Sequence, residues 1–292
     1  MKKDRIKALL FFFILISLHG CGQKSTKKQE TQKIEPPMVM ENSPFAYDLS
    51  HPEVYNLSAD LNEISGIVYY PKDGTIFAIQ DEGAYLYKIN LKNTKEIDQW
   101  EFAGKSDYED VTLWNDKLFI LQSNGDIYSL NVPSGKSIKT DQYKFDPNNK
   151  HEFESLYFDD KLGKIVMICK EWKGEVKSSP PVWGFDPQTK SFVPDLFTIN
   201  GKMLEEKTGE KIHFKPSAAA IHPVTNELYI VSAVNNLLVI ADRKGNVIAT
   251  HSLDPSMFKQ PEGITFLPSG DMLISNESAQ KGSANILLFH YK

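Results

Sequence analysis

Four glutamates stand at the head of similar short phrases. These are Glu63-Ile64-Ser65-Gly66-Ile67, Glu109-Asp110-Val111-Thr112-Leu113, Glu154-Ser155-Leu156-Tyr157-Phe158 and Glu262-Gly263-Ile264-Thr265-Phe266. A fifth phrase, Ser217-Ala218-Ala219-Ala220-Ile221, puts serine in the acid's place. If the phrases fold alike, their first residues converge on one point. Carboxylates gathered in a desolvated site raise one another's pKa. Such a ring therefore needs a cation, basic partners or bound protons. A hard cation such as calcium suits oxygen donors of this kind. No His pair or Cys cluster with zinc spacing accompanies them. Glu63, Glu109, Glu154 and Glu262 are thus candidate metal ligands. Asp81 and Glu277, from loops expected beside them, are weaker candidates. Lys170 and Lys215 are candidate counter-charges.

The ring also has a structural reading, in which each Glu accepts hydrogen bonds from backbone N–H groups of a neighbouring unit. A third reading is acid/base catalysis. Residue Ser217 breaks the acidic pattern, so a site would be asymmetric near it. Other nucleophile arrangements are absent: Ser65 and Ser217 have no His and Asp in a hydrolase order, and there is no Gly-rich phosphate loop. His151, His213, His222 and His251 are scattered and read as surface or turn residues. Trp114, Trp172 and Trp183 read as packing residues. Cys169 lies in the apolar run 165–169 and reads as a buried inert thiol.

The elements that must carry these residues repeat. The phrases start 46, 45, 63 and 45 residues apart. Each leads into a turn, a short apolar strand, a polar loop and a third strand; residues 97–102 and 247–253 read as fourth strands. Four strands per roughly 45 residues is the blade of a β-propeller. The expected fold is all-β, a propeller of five four-stranded blades, with six as the alternative. The last unit lacks a fourth strand, and residues 53–58, ahead of the first unit, can supply it and close the ring without an exposed edge. The excess length near residues 172–213 reads as long loops. No helix is expected, beyond one turn at residues 255–259.

The chain's start carries its own chemistry. Lys2, Lys3, Arg5 and Lys7 precede an apolar run over residues 8–16 and then Leu18-His19-Gly20-Cys21. This reads as an export signal over residues 1–20. Cys21 is then the lipid-bearing first residue of a bacterial-type lipoprotein, with His19 departing from the usual small residue. Residues 21–45 are polar and read as a flexible tether, and residues 46–292 as the propeller domain. The expected location is the bacterial cell envelope, lipid-anchored in a membrane and facing the periplasm. Loss of residues 1–20 would take the formal net charge from −5 to −8, which argues against nucleic acid as a partner.

The phrases Glu63-Ile64-Ser65-Gly66, Phe153-Glu154-Ser155-Leu156, Lys215-Pro216-Ser217-Ala218 and Gln260-Pro261-Glu262-Gly263-Ile264 resemble the SdiA-regulated family of bacterial envelope propellers, over about residues 50–292. The resemblance implies a propeller at or near a membrane and no particular reaction. A more distant likeness, resting on fold, is to esterase-like phytases and calcium-dependent lactonases of the gluconolactonase type. Two functions follow as expectations. One is a binding or scaffold module for an envelope protein or small-molecule ligand, with calcium or a ligand at the channel mouth. The other is a metal-dependent hydrolase of a phosphoester, ester or lactone.

Overall fold

A computed structural model of the chain describes residues 45–146, 150–174, 176–278 and 283–292. The expected signal, Cys21 and the tether to residue 44 lie outside them. The described chain is a ring of five four-stranded antiparallel sheets. Strand β1 (Glu53–Asn56) comes first. The first blade is β2 (Ile64–Tyr70), β3 (Thr75–Gln80), β4 (Tyr85–Asn90) and β5 (Asn93–Glu101). The second is β6 (Tyr108–Trp114), β7 (Lys117–Gln122), β8 (Ile127–Asn131) and β9 (Thr140–Tyr143). The third is β10 (Glu152–Asp159), β11 (Lys164–Glu171), β12 (Pro181–Asp186) and β13 (Ser191–Thr198). Helix α1 (Gly201–Thr208) precedes the fourth, which is β14 (Ala218–Ile221), β15 (Leu228–Ser232), β16 (Leu237–Ala241) and β17 (Val247–Ser252). The fifth is β18 (Pro261–Phe266), β19 (Met272–Asn276) and β20 (Asn285–Phe289), completed by β1.

The expected closure forms. Strand β1 lies antiparallel to β20, with Glu53 opposite Leu288 and Asn56 opposite Asn285. The N-terminal segment is fastened again nearby. His222 accepts the backbone N–H groups of Val224 and Thr225 on Nδ1, so its Nε2 carries the proton and donates to the Tyr47 hydroxyl at 2.6 Å. That hydroxyl in turn donates to the carbonyl of Gly270 at 2.5 Å. Burial holds the His222 pKa down at about 4, which keeps this relay neutral.

The burial of each strand follows from its place in the blade. Middle strands are apolar on both faces because a neighbouring blade covers each face; β3 buries Ile76, Phe77, Ala78 and Ile79 together. Outer strands such as β5 are largely exposed. Five buried clusters result, one at each blade-to-blade interface. Trp114 and Trp183 pack against the cluster of Phe119, Phe145, Phe153 and Phe185 between the second and third blades, as packing residues should. Cys169 is fully buried in the same cluster, and burial pushes its thiol pKa up, so it is inert.

One expectation fails. The excess length holds a helix as well as loops. Asn200 caps α1 by accepting the Met203 N–H, and Gly209, left-handed at φ 79°, ends it. Leu204 carries the helix into the core beside Ile199 and Phe214, with half-buried Met203 packed against the same cluster. Residues 255–257, by contrast, form only a turn, in which Asp254 O accepts from Met257 and Phe258.

Candidate functional site

Each innermost strand enters the channel through a β-bulge. In β6, Tyr108 lies opposite Gln122 and Asp110 opposite Leu121, so Glu109 is an extra residue with no partner. Glu154 is extra between Phe153 and Ser155, and Glu262 between Pro261 and Gly263. A bulge breaks the two-residue alternation of a strand and re-aims a side chain. Here it turns the extra residue off the blade face and into the channel mouth. In the fourth blade, Ser217 and Ala218 both stand against Val231.

This geometry corrects the register of the first repeat. In β2, Ile64 opposes Gln80 and Ile67 opposes Ala78. The residue equivalent to Glu109, Glu154, Ser217 and Glu262 is therefore Ser65, not Glu63. Glu63 belongs one tier farther out, level with Asp107, Glu152, Lys215 and Gln260. The signal was present: an apolar residue, one variable residue, one small residue or Asp, and a second apolar residue recur as Ile64–Ile67, Tyr108–Val111, Phe153–Leu156 and Pro261–Ile264. An i, i+3 apolar pair inside a strand is incompatible with period two and marks the bulge.

The carboxylates do converge. Glu63, Asp81, Asp107, Glu109, Glu152, Glu154, Glu262 and Glu277 line one cavity of about 180 Å³, with Ile64 and Ser65. Asp107 and Glu152 were not anticipated. Lys170 occupies the place in the third blade that Asp81 and Glu277 hold in the first and fifth. It is ion-paired to Glu154, which is 5% exposed. The other oxygen of Glu154 has no hydrogen-bond partner among the described residues.

The electrostatics follow from this crowding. Burial, with the neighbouring Asp107 carboxylate, pushes Glu109 up to about 8, against a smaller lowering by Lys170. Burial pushes Glu262 to about 6, with Lys170 and a hydrogen bond from Ser217 opposing it. Burial raises Glu277 to about 7, and the carboxylates of Glu262, Asp81 and Glu63 add to it. Asp81 is also raised, first by burial.

The backbone-binding role expected of the glutamates falls instead to their neighbour. Buried Asp110 accepts the N–H of Leu156, in the next blade, at 2.7 Å and its adjoining Val111 N–H at 2.8 Å. Burial still raises its pKa well above the usual carboxylate range. Its tier is a constriction. A Cβ on Gly66 would stand 2.2 Å from Asp110 Oδ1 and 2.5 Å from its Cα, and one on Gly263 would meet the Ser275 hydroxyl and the Ser65 carbonyl. Ser65 and Ser275 hydroxyls stitch the same level, donating to Glu109 O and Ser65 O.

One expected counter-charge goes elsewhere. Lys215 pairs with Glu171, with His213 Nε2 3.5 Å from the same carboxylate, and lies off the cavity. Three loop amides are likewise occupied: Asn124 accepts the Asp126 N–H within its turn, Asn235 accepts the Lys215 N–H, and buried Asn276 donates to Asn285. Among the described residues, no group of three or more His, Cys, Asp or Glu is arranged to hold a metal. The carboxylates share a cavity without closing on a single point.

No protein-family model matches the sequence, and no curated protein matches it. Solved structures do share the shape. Glutaminyl cyclase from Myxococcus xanthus superposes with a TM-score of 0.57 at 13% identity, over 82% of this chain and 94% of that one. The PQQ-bound aldose sugar dehydrogenase of Streptomyces coelicolor superposes with a TM-score of 0.57 at 11% identity, over 86% and 100%. At such identities the likeness shows the propeller fold alone.

Proposed function

We propose that this chain is an envelope lipoprotein, anchored through Cys21, whose propeller is a binding module for a cationic ligand at its acidic mouth. One observation carries the reading. Glu109, Glu262 and Glu277 share a small cavity with Glu154, to which Lys170 is ion-paired, and the first and last are held above the ordinary carboxylate range to about 8 and about 7. Their ionised forms are under-compensated, and an entering cation supplies the missing charge. Calcium is the simplest candidate. Because the carboxylates stand apart, the ion would keep part of its water shell, or an organic cation would span them. The basic and apolar run ahead of Leu18-His19-Gly20-Cys21 and the resemblance to envelope propellers support the location.

The test is thermal unfolding of the full chain in detergent micelles, with calcium chloride, with spermidine, and with chelator. A ligand that binds only the native state, present at a hundredfold its Kd, stabilises it by about 2.7 kcal/mol. A saturable rise in Tm with either cation, lost in Glu109→Gln/Glu262→Gln, is expected. No rise with either, or an equal rise in the double variant, overturns the reading. Calcium-dependent turnover of a phosphoester, ester or lactone would overturn it in favour of the hydrolase.

A further inference from the structure

The other end of the channel holds a second cavity, of about 380 Å³. It shares no lining residue with the acidic mouth. Its wall is built from the lower halves of the five innermost strands, from Ile67, Val111, Leu156, Ala219 and Ile264 downward. Pro71, Pro223 and Pro268, in the turns that follow, form its rim. The tier of Gly66 and Asp110, where the innermost strands approach closely, lies between the two linings.

No lining residue carries a charge. A charged ligand would leave water without meeting a counter-group, which strongly disfavours its binding. The ordinary size range of small-molecule sites begins at about 300 Å³, and their walls are mainly apolar with a few polar points. Thr112, Thr265 and Tyr69 supply such points here, although Thr265 Oγ1 already accepts the Tyr69 backbone N–H at 3.1 Å. The five innermost strands wall the space and its outer end opens to solvent between the turns, which gives a small molecule a way in.

We infer that this cavity is a second binding site, for an uncharged, largely apolar small molecule, independent of the acidic mouth. Selection against charge is its defining property. The smallest side chains of its wall, Ala219 and half-buried Ala220, come from the fourth blade, and they are where added volume would fill it.

The experiment is photolabelling of the full chain in micelles with benzophenone, mapped by peptide mass spectrometry. Saturable labelling is expected at cavity residues such as Leu113, Phe158 and Ile221. The charged analogues 4-benzoylbenzoate and (4-benzoylbenzyl)trimethylammonium should label them at least tenfold less. Ala220→Phe should cut benzophenone labelling at least tenfold. Labelling scattered over the surface, or cavity labelling as strong with both charged analogues, overturns the inference. If Ala220→Phe does not fold, the charge comparison on the natural chain decides alone. Calcium or spermidine binding at the acidic mouth is read separately, so either site can fail without the other.

Discussion

The two ends of the channel solve the problem of charge in opposite ways. Around the apolar end, charges are present but paired. Arg243 grips Asp159, which is fully buried, through Nε at 3.0 Å and Nη2 at 2.6 Å, and also reaches Asp160. Lys72 of the first blade meets Asp116 of the second at 2.5 Å, and within the third blade Lys164 meets Asp186 at 3.0 Å. At the acidic end, eight carboxylates line one cavity and Lys170 pairs with one of them. The same fold that satisfies its charges at one end leaves them unsatisfied at the other. Local rules are most often broken where function requires it. The acidic mouth therefore reads as a site whose charges await a ligand, and the ion pairs around the opposite end as a fastening.

That contrast can be broken in several ways, the largest effect first. Gly66→Val should cost more than about 4 kcal/mol, or abolish folding, because a buried backbone and the Asp110 carboxylate occupy the space a Cβ needs. Equilibrium denaturation reads this loss. Arg243→Ala should cost about 3–5 kcal/mol, since it strands the buried Asp159 charge; a loss below 1 kcal/mol would deny the fastening role. Asp110→Ala leaves two backbone N–H groups unpaired and should cost about 1–3 kcal/mol for each, reduced by release of a buried acid.

Glu109→Gln should act in the opposite direction. The Glu109 pKa is raised in the folded chain to about 8 from an ordinary 4.5. Between these values the folded state holds more protons than the unfolded one, so stability falls as pH rises through that window. Removing the ionisable group should raise Tm at pH 8 by about 2–4 °C for each kcal/mol relieved, and should change nothing at pH 4. A variant that is less stable at pH 8 would mean that the carboxylate is already compensated.

The blade count and the closing strand were legible because they rest on repetition. Apolar strands such as those at Ile76 and Leu118 recur at fixed spacing, and only residues 53–56 were left to pair with β20. The acidic convergence was legible for the same reason. The tier of Glu63 was not, because matching Glu to Glu ignored the extra residue of each bulge; matching Ile64 and Ile67 to Tyr108 and Val111 finds it. Helix α1 has Asn200 and Gly209 at its ends, but eight residues with Met203 and Leu204 alone at the core make little apolar pattern. Asp110, which ties the second blade to the third, could not be separated from the neighbouring Glu109 by composition. Which of them faces backbone and which faces the cavity is set by the bulge.

The claim that the acidic mouth is an under-compensated cation site is tested most directly by calorimetric titration of the full chain with calcium and with spermidine at pH 7, in two buffers of different ionisation enthalpy. A cation entering beside Glu109 and Glu277, whose pKa values are about 8 and about 7, must displace protons. Saturable binding of at least one of the two, with net proton release that disappears in Glu109→Gln/Glu277→Gln, is the predicted result. Absence of binding by both, or binding with no proton exchange, would contradict it.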